Sequence, residues 1–247
     1  MTNDHSPSEI RHLFDRIAPV YDQLNQWLSL GQHRIWKRMA VKWCDLKPGE
    51  IGLDLCCGSG DLAELLARYV GATGQVYGVD FSPGLLAIAK ARVTHHYPPL
   101  TIHWIEADAL DLPFEDNFFH GATMGYGLRN VTDIPRCLRQ LYRVLKPGAK
   151  AAILDFHRPQ HSPLRQFQQW YLDTIVVPRA KSLGLEQEYA YITPSLERFP
   201  NGKQQVKLAQ QAGFAHATHY PIAGGMMGVL VITKPESLDG AGKLLET

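Results

Sequence analysis

The sequence has little of what would mark a disulfide-built, membrane-spanning or nucleic-acid-binding protein. Its 247 residues include four cysteines, Cys44, Cys56, Cys57 and Cys137. None has C-x-x-C spacing, and adjacent Cys56 and Cys57 cannot readily bridge each other. Reduced thiols in a cytoplasmic setting are therefore expected. No run of about 18 apolar residues is present that would span a bilayer. The polar start, Met1 to Pro7, lacks the apolar stretch of a secretory signal. Net charge is only +1, so no bulk field draws the chain to nucleic acid. The histidines lack a ligand pattern: His95-His96 and His216-x-x-His219 have no companion cysteine or acid in a familiar spacing, so no metal is expected. No repeat or low-complexity block occurs. What remains is a chain 45% hydrophobic and 20% charged, the balance of a globular protein. It is long enough for one large α/β domain with a substantial core.

The stretch without cations is the most informative. From Pro48 to Ala67 there is no Lys or Arg, but there are Glu50, Asp54, Asp61 and Glu64. Within it, Leu53-Asp54-Leu55-Cys56-Cys57-Gly58-Ser59-Gly60-Asp61-Leu62-Ala63 reads as a strand, a tight loop and the start of a helix. Gly58 and Gly60 let backbone come close to a ligand, and Ala63 is the third small position, where helix and strand pack closely. Dinucleotide folds share this Gly-x-Gly-x-x-Ala turn, and a helix N-terminus can hold a pyrophosphate without cations. Crowded carboxylates nevertheless disfavour an anion. They suit S-adenosylmethionine, which has a sulfonium, an ammonium and no phosphate; NAD is the competing reading. Asp80 ends the next apolar run, twenty residues after Gly60, where an acid that holds ribose hydroxyls is usual. A plainer reading of Asp54 and Asp61 is that they cap backbone amides.

Along the chain, strands are expected near 51–56, 75–80, 101–107, 117–124, 149–156, 215–220 and 227–233, with helices between most of them. That alternation predicts an α/β fold with a mostly parallel seven-stranded sheet, helices on both faces and right-handed crossovers. Residues 1–46 read as an N-terminal helical cap, with Tyr21 either closing over the ligand loop or simply shielding the sheet. Residues 47–234 form the main domain. Residues 158–200 break the rhythm after the fifth strand and read as a helical lid or substrate wall. Residues 235–247 read as a loose tail.

In such sheets ligands sit beyond the carboxyl ends of the strands. Asp108 there can accept from an adenine amino group, or can be an ordinary loop acid. Gly125-Tyr126-Gly127-Leu128-Arg129-Asn130 follows the fourth strand. Its glycines admit a ligand, and Arg129 and Asn130 fall beside the donor. A structural ion pair is the plainer reading of Arg129, and capping by Thr132 or Asp133 is expected in either case. His157, after the fifth strand, is of a type suited to moving protons near neutral pH, or is simply a satisfied histidine.

These residues resemble the ubiquinone/menaquinone biosynthesis C-methyltransferases, within the Rossmann-like class I S-adenosylmethionine-dependent methyltransferases. The specific marks are Tyr21-Asp22 with Asn25, Leu28-Ser29-x-Gly31-x-His33-Arg34-x-Trp36-Lys37, Leu112-Pro113-Phe114-x-Asp116-Asn117 and Gly127-Leu128-Arg129-Asn130-Val131-Thr132-Asp133. Bacterial members usually read Ala-Gly-Gly-Thr-Gly-Asp where this chain has Cys56-Cys57-Gly58-Ser59-Gly60-Asp61, and Glu-Phe-Ser where it has Asp155-Phe156-His157. The cysteine form is similar to the cyanobacterial and plant branch. The resemblance implies donor contacts at Ser59, Asp80, Asp108, Ala109 and, through backbone, Gly125; Asp54, Gly58, Gly60, Phe81 and Tyr21 join them on the cofactor side. It implies C-methylation of 2-phytyl-1,4-naphthoquinol, with Arg129, His157 and Tyr126 as catalytic candidates. Asn130, Phe167, Trp170, Tyr191 and Phe199 are the candidates for enclosing the substrate. The expected partners are a prenylated naphthoquinol, a membrane surface touched peripherally and a second copy of the chain. Rival readings are methylation of demethylmenaquinol or another prenylated quinol, a SAM-binding protein without turnover, and an NAD oxidoreductase.

Overall fold

Helix and strand alternate from Ile51 to Phe156 as the periodicity predicts, except that the third and fourth strands follow each other with no helix between them. The computed structural model describes residues 15–16, 26, 29, 31–93, 101–159, 161–182 and 192–236. Tyr21, Tyr191 and the tail beyond 236 lie outside these residues. Helix α1 spans His33–Trp43, β1 Ile51–Leu55, α2 Asp61–Val70, β2 Gln75–Asp80, α3 Pro83–Val93, β3 Ile102–Glu106 and β4 Phe119–Gly125. A single 3-10 turn, Leu128–Asn130, leads to α4 Ile134–Val144 and β5 Leu145–Phe156. The insertion supplies α5 Ser162–Tyr171, a π turn Leu172–Val176, α6 Val177–Ser182 and α7 Ile192–Arg198. Helix α8 Gly202–Gln211 and strands β6 His216–Ile222 and β7 Met227–Thr233 close the fold.

The seven strands form one sheet in the order β3-β2-β1-β4-β5-β7-β6. The pairs from β3 to β5 are parallel, whereas β7 runs antiparallel to both β5 and β6. After β3 the chain crosses to the far side of β1 and adds β4. Neighbouring strand ends there lead their loops in opposite directions, which opens a crevice. Helices cover both faces. One core cluster joins Trp36, Ala40 and Val41 of α1 to Leu62 and Leu66 of α2, Leu154, and Leu172 and Leu196 of the insertion. The other joins Leu53, Leu55, Met124 and Ile153 of the sheet to Leu138 and Leu141 of α4 and Ala209 of α8. Helix α1 is therefore part of the main core and not a detachable cap.

Three segments differ from expectation. Lys146-Pro147-Gly148 was expected as a turn but lies within β5, which starts at Leu145 and pairs across an irregularity between Phe119 and Gly121. The helix expected over 163–177 contains the π turn. Residues 192–198, a polar stretch in sequence, are helical, with Ser195 and Leu196 buried. The helix caps follow the local rules: Asp133 accepts from the Arg136 amide at 2.8 Å, and Asn201 and Gln204 bond reciprocally at 3.1 and 2.8 Å.

Phe119 starts β4 fully buried, edge-on to Tyr77, Phe114 and Phe118. Phe119→Ala leaves a cavity among these rings and is expected to cost about 3–5 kcal/mol. Urea unfolding checks this, and a loss below about 1 kcal/mol would show that this cluster does not hold β4 in place.

Candidate active site at the switch point of the sheet

The loops at the crevice are held in conformations that bring backbone close together. Gly60 has φ 86°, and a Cβ there would stand 2.6 Å from the Trp104 ring. A Cβ on Gly127 would stand 2.6 Å from that of Cys56. Cys56 and Tyr126 have positive φ values of 54° and 62°, a costly state for side-chain-bearing residues that clusters at functional sites. Asp80 ties two loops together. Its Oδ2 accepts from the Gly58 amide at 2.8 Å and its Oδ1 from the Ser82 amide at 3.0 Å. Burial pushes its carboxyl up to about 6, against these bonds.

Between the loops lies an open cleft whose empty space, counted out to solvent, is about 720 Å³. Leu55, Cys56 and Gly58 form one wall, Asp80 and Phe81 a second, Asp108 and Ala109 a third, and Gly125, Tyr126, Gly127 and Asn130 the last. No described Lys, Arg or His lines it. The amide nitrogen of Asn130 donates to the Tyr126 carbonyl at 2.9 Å, so its Oδ1 must be an acceptor. That buried oxygen has no hydrogen-bond partner among the described residues. Two carboxylates and an unused acceptor, with no counter-charge for phosphate, fit a cationic nucleoside such as S-adenosylmethionine. Asp108 keeps one oxygen on the Leu110 amide at 2.9 Å.

The acid-rich loop is less negative in space than in sequence. Asp61 is ion-paired with Lys37 at 2.8 Å and with Arg92, and Glu64 with Arg68 at 2.6 Å. These cations come from α1, α3 and the end of α2, all outside the stretch that lacks them. Asp54, Ser59 and Gly60 are buried and do not line the cavity. Asp54 accepts from the Thr123 hydroxyl at 2.9 Å, while its Oδ2 has no partner among the described residues. Desolvation pushes its carboxyl up to about 7, although Thr123 and Lys37 favour the ionised form.

The catalytic candidates separate. Tyr126 lines the cavity. Arg129 does not: its guanidinium donates to Asp155 at 2.7 Å and to the Tyr126 carbonyl at 3.0 Å, and lies over the Phe156 ring. The ion pair is buried, and it fastens the turn after β4 to the end of β5. His157 also turns away. Its Nε2 stands 3.0 Å from that of His219 and 3.3 Å from the Gln205 amide, and burial followed by His219 holds its pKa down to about 3. A ring so hard to protonate is a poor proton acceptor, so the expectation for His157 is corrected.

A second, apolar cavity of about 660 Å³ lies across Phe156. Ser29, Gln32 and Trp36 line it with Phe167, Tyr171 and Leu172 of the insertion, Leu196, Met226 and Met227. Phe167 is the one described candidate for enclosing the substrate that lines it. Trp170 is 53% exposed and lies outside this lining, and Phe199 packs on His157, so neither encloses a ligand here. Tyr126 of the first cavity stacks on Phe156 of the second, with centroids 4.9 Å apart. Sequence reasoning missed Lys37, whose ammonium pairs with Asp61 and faces the Tyr126 ring at 5.6 Å. The one signal was its place in the Ser29-to-Lys37 motif.

The sheet order, the glycine loop and the cation-free cavity define a class I S-adenosylmethionine-dependent methyltransferase. A solved SAM-dependent methyltransferase from Aquifex aeolicus shares the fold, with a TM-score of 0.61 at 17% identity over 86% of this chain and 97% of that one. The sequence profile of the ubiE/COQ5 methyltransferase family matches residues 1–234, and the chain belongs to that family. It is 71% identical to the 2-phytyl-1,4-naphtoquinone methyltransferase of Trichormus variabilis over 92% of this chain and 99% of that protein. It is 52% identical to the chloroplastic 2-phytyl-1,4-beta-naphthoquinone methyltransferase of Arabidopsis thaliana over 91% and 87%.

Asp54 gives a pH prediction. Unfolded, its carboxyl ionises near 3.8; folded, near 7. Its contribution to stability is full below the lower value and is lost as pH rises through the upper one. Asp54→Asn is expected to gain stability relative to the parent between about pH 4 and pH 8 in urea unfolding. A difference that does not change with pH would contradict burial of an ionisable Asp54.

Proposed function

We propose that the chain methylates the ring carbon of 2-phytyl-1,4-naphthoquinol, the last step in making phylloquinone. The observation that carries the reading is the pair of cavities meeting at the Tyr126–Phe156 stack. One suits a charged nucleoside and the other a bulky apolar acceptor. The names of relatives at 71% and 52% identity support the naphthoquinone head group.

Bound S-adenosylmethionine supplies an electrophilic methyl on a sulfonium. Asp80 and Asp108 hold its nucleoside, and the Gly58 loop admits it. The acceptor must be the reduced quinol, because the quinone ring is electron-poor. Ionising one hydroxyl pushes electron density onto the adjacent ring carbon, which would take the methyl from the sulfonium, releasing S-adenosylhomocysteine as the S–CH3 bond breaks; loss of that carbon's own proton then restores the aromatic ring. Tyr126 and Phe156 form the wall that fixes the ring between the cavities, and alignment of this kind is worth several kcal/mol. To Asn130, on the wall of the donor cavity, the reading assigns the orienting of the ionising hydroxyl or of a water that carries its proton away. Arg129 acts as a positioning residue, holding the 126–130 turn on Asp155. The apolar lining of Leu172, Leu196, Met226 and Met227 excludes water from the acceptor.

Among the described residues no helix is long and apolar enough to cross a membrane. The reading places the enzyme at a membrane surface, where a phytyl-tailed acceptor resides. Assays with labelled methyl donor against a panel of reduced and oxidised quinones test it. The phytyl naphthoquinol is expected to turn over and its quinone not. Equal turnover of both redox forms, or preference for another head group, would refute it.

A further inference from the structure

The insertion is apolar on two faces, and only one of them is covered. Leu172 and Val176 are buried in the core. Facing outward, Phe167 is 47% exposed, Trp170 53% and Ile175 40%. Phe167 and Trp170 are three residues apart, hence neighbours on one side of α5, with ring centroids 5.9 Å apart. A surface helix normally turns polar residues outward; one apolar all round faces a core or a lipid phase. These three are half of the exposed large hydrophobics described in the chain. They occupy nine consecutive positions, so they are not scattered surface residues.

Charge identifies what covers them. From Ser162 to Ser182 the cations are Arg165, Arg179 and Lys181, all exposed. The single acid of this stretch, Asp173, accepts from its neighbour Gln169 at 3.0 and 3.1 Å. Aromatic rings set among cationic side chains match the boundary between acyl chains and anionic headgroups. Phe167 belongs both to this face and to the lining of the apolar cavity. The face and the cavity are therefore continuous at that residue.

We propose that the exposed face of α5 and the π turn, Phe167, Trp170 and Ile175 flanked by Arg165, Arg179 and Lys181, docks on an anionic bilayer. The apolar cavity then opens at the lipid boundary, where a tailed acceptor enters without crossing water. This proposal rests on the reading above that the acceptor carries a lipid tail.

The test compares the full chain with its Trp170→Ser/Ile175→Ser form. Sedimentation with phosphatidylcholine vesicles, with and without phosphatidylglycerol, reads membrane binding. Calorimetry with S-adenosylmethionine reads whether the variant is folded. The parent is expected to bind the anionic vesicles more strongly than the neutral ones, and the variant about tenfold less than the parent, with donor affinity unchanged. A milder Ile175→Ser form, expected to lose binding in part, serves if the double variant loses donor affinity. Equal binding of parent and variants, no binding by either, or indifference to the anionic lipid overturns the proposal. So does a dimer of the parent in lipid-free solution that the variant loses, which would assign this face to a second copy. Turnover of the quinol in detergent micelles separates the two readings. Turnover without vesicle binding removes only the docking face, while vesicle binding without turnover removes only the assigned reaction.

Discussion

One carboxylate sets the shape of the donor cavity. Asp80, at the end of β2, accepts one amide from the glycine loop after β1 and one from the entry to α3. The loops of two parallel strands are thereby locked at a fixed separation, and no described side-chain cation lines the space between them. Such charge-assisted bonds are stronger than neutral ones. Burial opposes them by disfavouring the ionised carboxyl. In the reading proposed above, ribose hydroxyls donating to Asp80 shift that balance back toward the charged form, so that loop geometry and donor binding would support each other.

The motif from Ser29 to Lys37 connects the two halves of the site. Ser29 and Trp36 line the acceptor side, and Lys37 reaches the donor side, where it neutralises Asp61 at the start of α2. One turn of α1 thus lines the acceptor cavity through Trp36 and reaches Asp61 and the Tyr126 ring through Lys37. The buried Ser29–His33 hydrogen bond, 2.8 Å long, holds the start of this helix. The Tyr126–Phe156 stack, in the same core cluster as α1, and the Arg129–Asp155 pair complete the partition. In this arrangement Arg129 serves geometry before electrostatics, because Asp155 already compensates its charge.

The strands from β1 to β4 and the glycine loop were legible because their signals are local: apolar runs, Gly-x-Gly and an acid at the strand end. The cavity walls at Asp80, Asp108 and Gly125 lie at the strand ends that the alternation picks out, whereas Ala109 came only with the family resemblance. Long-range pairing was not legible. Nothing near Asp61 in sequence announces Lys37 or Arg92, so the loop read as more acidic than it is. His157 has the right residue type at the right strand end, but β6 brings His219 against it and α8 brings Gln205. Trp170 read as a substrate wall because aromatic content cannot say which face of α5 points outward. The length of β5 escaped notice because Pro147 and Gly148 are turn residues that the sheet overrode.

The central claim is that Asp80 organises and charges the donor cavity. Calorimetric titration of Asp80→Asn with S-adenosylmethionine, beside thermal unfolding of the same protein, tests it most directly. Asn supplies one acceptor oxygen without charge and places an amide donor against a backbone N–H. The account predicts at least about tenfold weaker donor binding in a protein that still folds. Unchanged affinity would contradict it.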